Sequence, residues 1–134
     1  MSEKENDFWQ DHSLAFLEMA FGQDNRERIA NPDGYGKNVG DCGDTVEIFL
    51  LIEGEMIRHA AFDVDGCLNT AACANTVVQM VLGRSLAEAW DISPEQVIAY
   101  LQTLPAGSAH CAELAVGALY LAVSDFEKRI QVRN

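Results

Sequence analysis

The chain has 134 residues, 49% of them hydrophobic and 22% charged, and its formal net charge is −12. That length predicts one domain with a real core, and the balance excludes disordered, collagen-like and low-complexity classes. Asp and Glu number 21 against 9 Lys and Arg. Such a surface repels phosphate backbones and anionic lipid, so no nucleic acid and no membrane is expected as a partner, and a basic protein surface is.

The first residues, Ser2-Glu3-Lys4-Glu5-Asn6-Asp7, are polar and lack the basic and apolar regions of a signal peptide. Residues 1–7 read as a flexible extension. The apolar stretches read as broken by charge or Gly before the ~20 residues of a membrane span. The expected compartment is cytoplasmic. The four cysteines there are ligands, nucleophiles or core residues rather than a disulfide frame.

In chain order, residues 8–27 read as a helix, with Phe8, Leu14, Phe16, Leu17, Met19, Ala20 and Phe21 as apolar surface. Asn31-Pro32-Asp33-Gly34-Tyr35-Gly36 reads as a loop. Its glycines, with Gly40, lack the spacing and the preceding strand of a phosphate cradle. Val46, Ile48, Leu50 and Ile52 alternate along a strand at 45–53. Gly54-Glu55 turns the chain into a second strand at 56–64, with Met56, Ala60, Phe62 and Val64 on one face.

After Gly66 the period becomes helical through Ala74, Val77, Val78 and Val81, with Asn69 as N-cap and Gly83 as the stop. Ser85-Leu86-Ala87-Glu88 and Ser93-Pro94-Glu95-Gln96 each fit a capping box, the second opening a helix to about Thr103. Ser108 is expected to cap a last helix that turns Leu114, Ala115, Ala118, Leu119, Ala122 and Phe126 inward. The order predicts an α+β domain, a small antiparallel sheet with helices packed on one face.

Three cysteines fall at element junctions: Cys42 in Asp41-Cys42-Gly43-Asp44, Cys67 in Asp65-Gly66-Cys67, and Cys111 in His110-Cys111. No paired C-x₂-C knuckle occurs, so a zinc finger is not indicated. Cys42 and Asp44 share a side if their segment is extended. Cys67 and Cys111 stand near helix starts, where free N–H groups favour a thiolate. A sheet end facing two helix N-termini can gather three thiolates, a carboxylate and an imidazole, a donor set for zinc, copper(I) or iron–sulfur centres. Cys73 lies on the apolar stripe with Val77 and Val81 and reads as core. His12 and His59 read as surface residues, and Trp9 and Trp90 as packing anchors.

Cys-Gly-Asp before a strand, Asp-Gly-Cys at a strand end and Leu-Pro-x-x-x-x-His-Cys-x-x-Leu-Ala opening a last helix occur in order. Together they resemble the NifU/IscU-type iron–sulfur cluster assembly scaffold family over about residues 31–126. The resemblance implies one scaffold domain over 1–134, not an enzyme, that holds a transient [2Fe–2S] cluster. Iron and sulfur from a cysteine desulfurase would build it, and acceptor apoproteins would receive it. A homodimer is left open. The family's ligand positions fall on Cys42, Cys67 and Cys111, with Asp44 and His110 beside them.

In that reading Cys111 is the expected sulfur acceptor, as a helix-start thiolate, and Cys42 the second choice. Asp44 is the weak ligand or gate, and His110 an alternate ligand or proton acceptor. Without iron and sulfur the same site would take Zn²⁺. Where the family often carries Leu-Pro-Pro-Val-Lys, this chain has Leu104-Pro105-Ala106-Gly107-Ser108, so chaperone-driven transfer is not implied. Gly-Ser-Ala after the middle cysteine becomes Leu68-Asn69-Thr70. The alternative is a structural zinc protein using the same residues. A thiol–disulfide oxidoreductase or zinc hydrolase would need C-x-x-C or H-E-x-x-H, which the sequence lacks.

Overall fold

Val46, Ile48 and Leu50 alternate at full burial along a strand that pairs with its successor, and the sheet grows from this hairpin. The computed structural model describes residues 12–133. Among these, α1 spans Leu14–Phe21, β1 Gly34–Val39, β2 Thr45–Glu53, β3 Met56–Asp65 and α2 Leu68–Val81. Then come α3 at Leu86–Trp90, α4 at Pro94–Leu101, a 3₁₀ turn at Ala106–Ser108 and α5 at Ala109–Arg133. The sheet is antiparallel in the order β1-β2-β3, and α2 and α5 pack against it. This is the expected α+β architecture. The extension assigned to 1–7, and Phe8 and Trp9, lie outside the described residues.

The hairpin contains one correction. Leu51 pairs with His59 but Ile52 pairs with Ile57, so β3 carries an extra residue there. The bulge reverses the inward parity. Ile57 is therefore fully buried, and Met56, expected inside, is exposed.

The segment read as a loop is largely β1. Its glycines are turn formers by local rule, but here they let α5 approach. A Cβ on Gly36 would stand 2.5 Å from the Ala122 nitrogen, and one on Gly34 would meet the Ala122 carbonyl. Two bonds lock the contact. The Tyr35 N–H donates to Asp125 Oδ2 at 2.9 Å, and Asn38 Nδ2 donates to the Leu114 carbonyl at 3.1 Å.

The first helix is shorter than expected. Ser13 caps it by accepting from the Phe16 N–H, and Gly22 ends it. The chain then runs along the outer edge of β3: the Phe62 N–H donates to the Asn25 carbonyl and the Glu27 N–H to that of Phe62. Pairing this sheet edge outweighs continuing a helix through Glu27.

Both capping boxes form, Ser85 with Glu88 and Ser93 with Gln96. Gly83, at φ +78°, follows the end of α2 as expected. The helix through Thr103 stops at Leu101, with Gln102 at φ 64°. Cys67, not Asn69, is the N-cap of α2. The Asn69 amide instead donates to Ser108 Oγ at 3.0 Å, tying the start of α2 to the turn before α5. Of the face expected to turn inward on α5, Leu114, Ala115, Ala118, Leu119 and Ala122 are buried, and Phe126 is half-buried.

The longest apolar stretch is broken by Glu113 and Gly117, as expected. Ala106–Val132 is long and apolar enough to cross a membrane by length and composition. Between Ala109 and Asp125 its one Asp, Glu, Lys or Arg is Glu113. Half of the apolar window is buried against β1, α2 and α4, as befits a core helix.

Candidate metal centre

Three separated segments meet at the end of the sheet where β1 turns into β2 and β3 hands over to α2. In the β1–β2 turn the Gly40 N–H donates to the Asp44 carbonyl, and the Gly43 N–H donates to the Gly40 carbonyl. Gly43 sits at φ +90°, which few other residues tolerate. Cys42 is thus at an exposed turn tip rather than in the extended segment expected. Asp44 is half-buried and leans over Gly66; a Cβ there would lie 2.6 Å from its carboxyl group. The glycine of Asp65-Gly66-Cys67 is space made for Asp44.

Cys67, exposed, caps α2, and its N–H donates to Asp44 Oδ2 at 3.4 Å. One turn on, Thr70 is fully buried. Its hydroxyl donates to the same Asp44 oxygen at 2.7 Å, and its Oγ1 lies 3.3 Å from Cys111 Sγ and 3.4 Å from Cys67 Sγ. Cys111, the third residue of α5, is 1% exposed. His110 Nε2 stands 3.7 Å from Cys111 Sγ, while Nδ1 is 3.1 Å from the Gly107 carbonyl oxygen. Beside this group Cys42 and His110 share an open cavity of about 430 Å³ with Asn38, Asp41 and Glu113.

The electrostatics follow the contacts. The Thr70 hydroxyl, then the Cys67 N–H, hold the Asp44 carboxyl below its ordinary range against the opposing effect of burial; the Cys67 and Cys42 thiols add smaller contributions. Burial pushes the Cys111 thiol up, the Thr70 hydrogen bond opposes it, and Cys67 and Asp44 push it further up. Burial thus opposes the activation expected of Cys111 from its place near a helix start. Burial also pushes up the thiol of Cys73, which lies in the core as expected.

The structure thus brings Asp44, Cys67 and Cys111 together around Thr70, with Cys42 and His110 adjoining. The donor set of thiols, carboxylate and imidazole suits a soft metal ion. Its present geometry is set by hydrogen bonds: among the described residues no three His, Cys, Asp or Glu side chains are disposed to hold a metal ion. His59 pairs with Glu27 and His12 stacks on Phe16. Sequence reasoning missed Thr70 and the purpose of Gly66. Thr70 lies three residues after Cys67, on the same side of the start of α2, but nothing local to the sequence gives its hydroxyl a role.

Comparison with known proteins agrees with this geometry. A family model described as the NifU-like N-terminal domain matches residues 25–133. The chain is 31% identical over 104 residues to "Iron-sulfur cluster assembly scaffold protein IscU 1" of Archaeoglobus fulgidus, covering 76% of this chain and 67% of that protein. It is 28% identical over 118 residues to the scaffold protein IscU of Escherichia coli, covering 82% and 91%. Among solved structures, a NifU-like protein (N-terminal) from Brucella abortus shares the fold at TM-score 0.72 and 17% identity, over 87% of this chain and 94% of that one. So does a putative iron–sulfur cluster assembly scaffold protein for the SUF system from Fervidobacterium islandicum, at 0.71 and 17%, over 85% and 97%. With most of its length inside the family model, the chain belongs to the NifU-like N-terminal domain family.

Proposed function

We propose that this chain, over 1–134, is a non-enzymatic cytoplasmic scaffold on which a transient [2Fe–2S] cluster is built and from which it is passed to acceptor apoproteins. The observation that carries this reading is the convergence of Asp44, Cys67 and Cys111 from three segments, with Cys42 and His110 beside them. Thiolates favour iron–sulfur cargo, and a carboxylate supplies a harder, more exchangeable ligand. The names of the relatives point the same way.

Exposure supports the following order of steps. Cys42 is the better sulfur acceptor, because it stands at the turn tip on an open cavity while Cys111 is buried. Its thiolate attacks the outer sulfur of a desulfurase persulfide, and the donor's cysteine thiolate leaves. A separate electron-transfer protein then supplies two electrons per delivered sulfur, which cleave the Cys42 persulfide S–S bond, release sulfide and restore the Cys42 thiolate. Cys42, Cys67 and Cys111 hold the iron, Asp44 is the ligand that exchanges, and His110 is an alternate ligand or proton acceptor. Iron and sulfide are cargo here. Zn²⁺ would occupy the same donors as a surrogate.

Anaerobic reconstitution with iron and sulfide, followed by visible absorption and metal analysis, tests the reading. A sulfide-dependent chromophore with bound iron is expected. Stable stoichiometric zinc with no such chromophore would establish the structural zinc protein instead.

A further inference from the structure

Thr70 is fully buried, yet its hydroxyl is the point on which Asp44 Oδ2, Cys111 Sγ and Cys67 Sγ converge, at 2.7, 3.3 and 3.4 Å. A hydroxyl has one proton and two lone pairs, so these three neighbours saturate it. The hydroxyl proton serves the carboxylate or the Cys111 sulfur, one at a time, and the Cys67 thiol can donate to a hydroxyl lone pair. Metal–ligand bonds to the same atoms are shorter, about 2.0–2.3 Å. An ion held by Asp44, Cys67 and Cys111 takes the place of the thiol protons and competes with the hydroxyl for the same three donor atoms.

We infer that Thr70 is a positioning residue that latches the metal-free site: its hydroxyl holds the three donors together by hydrogen bonds and competes with the metal for them. The described residues agree with this, since the donors face the hydroxyl and no three are set around a common metal position. Thr70 is the third residue of α2, and its hydroxyl turns about a single side-chain bond. Rotation about Cα–Cβ frees the donors, and the reverse rotation lets the hydroxyl retake Asp44 as cargo leaves. The latch trades holding strength for release, which a transfer scaffold needs. This inference rests on the scaffold reading above.

The test uses Zn²⁺ alone as the probe and compares the wild-type chain with Thr70→Val and Thr70→Ser. Zinc affinity is measured by chelator competition, zinc release by stopped flow, and metal-free stability by thermal unfolding. Thr70→Val is expected to bind Zn²⁺ about tenfold more tightly, equivalent to ~1.4 kcal/mol. It should release zinc more slowly and, metal-free, melt at a lower temperature than wild type. Thr70→Ser keeps the hydroxyl and should match wild type in all three. If Thr70→Val does not fold, Thr70→Ala, a strong helix former, carries the same expectations. Zinc affinity of the hydroxyl-free variant equal to or weaker than wild type would overturn the latch and leave the scaffold reading standing. Failure of the wild-type chain to take up zinc in a way that Cys67→Ser and Cys111→Ser abolish would overturn both.

Discussion

Asp44 Oδ2 accepts from the Thr70 hydroxyl at 2.7 Å and from the Cys67 N–H at 3.4 Å, so one oxygen links the β1–β2 turn to the start of α2. Removing it takes away the oxygen ligand but none of the three thiols. Asp44→Ala should fold and load a cluster, and should pass it to an apo-ferredoxin several-fold more slowly than wild type at equal loading. Equal transfer rates would remove Asp44 from hand-off. Cys42→Ser, Cys67→Ser and Cys111→Ser should each abolish stable cluster assembly, read as iron and acid-labile sulfide retained after desalting. The residues of this site were unevenly legible in the sequence. Cys42, Cys67 and Cys111 could be singled out because each sits at an element junction, and junctions are local features. Thr70 could not, because its hydroxyl acquires a role only when Asp44, 26 residues away, and Cys111, 41 residues away, arrive beside it.

At the scale of elements, β1 and α5 depend on two missing side chains. Gly36→Ala would press a methyl group into the α5 backbone and should cost about 1–3 kcal/mol in urea unfolding. Gly107→Ala, where nothing lies within 4 Å, should be near neutral. Equal effects of the two would show that the close approach of α5 is not needed. The capping boxes lend themselves to a pH test. Glu88 is held below its ordinary range by the Ser85 N–H first and then by Arg84. A lowered carboxylate stabilises the fold above its unfolded pKa of about 4.5 and loses that contribution as pH falls through the lower folded value. The stability advantage of wild type over Glu88→Gln should therefore hold at pH 6 and shrink below about pH 4. Those boxes and the β2–β3 hairpin were readable because Ser-x-x-Glu, Ser-x-x-Gln and period-two alternation are complete within a few residues. The strand at Gly34–Val39 was not, because its glycines answer to a helix more than 80 residues away. The bulge opposite Leu51 was likewise hidden, since alternation shows the phase of a strand but not an inserted residue.

For the whole molecule, the net charge of −12 sets the terms of association. Docking to a basic desulfurase surface should be fast at low salt and weaken as salt is added, since exposed charges are screened over about 8 Å at physiological ionic strength. Leu104-Pro105-Ala106-Gly107 lacks the lysine of the family's usual segment, so docking and transfer are expected to proceed without a chaperone. Salt-insensitive binding, or strict chaperone dependence, would contradict this. In the scaffold proposed above, the site gives its cluster up. The most direct measurement follows the absorption and circular dichroism of the reconstituted chain mixed anaerobically with an apo-ferredoxin in the absence of any chaperone. The cluster signal should move to the ferredoxin, and the chain should return to its metal-free form. A cluster that stays on this chain while the ferredoxin remains empty would contradict it.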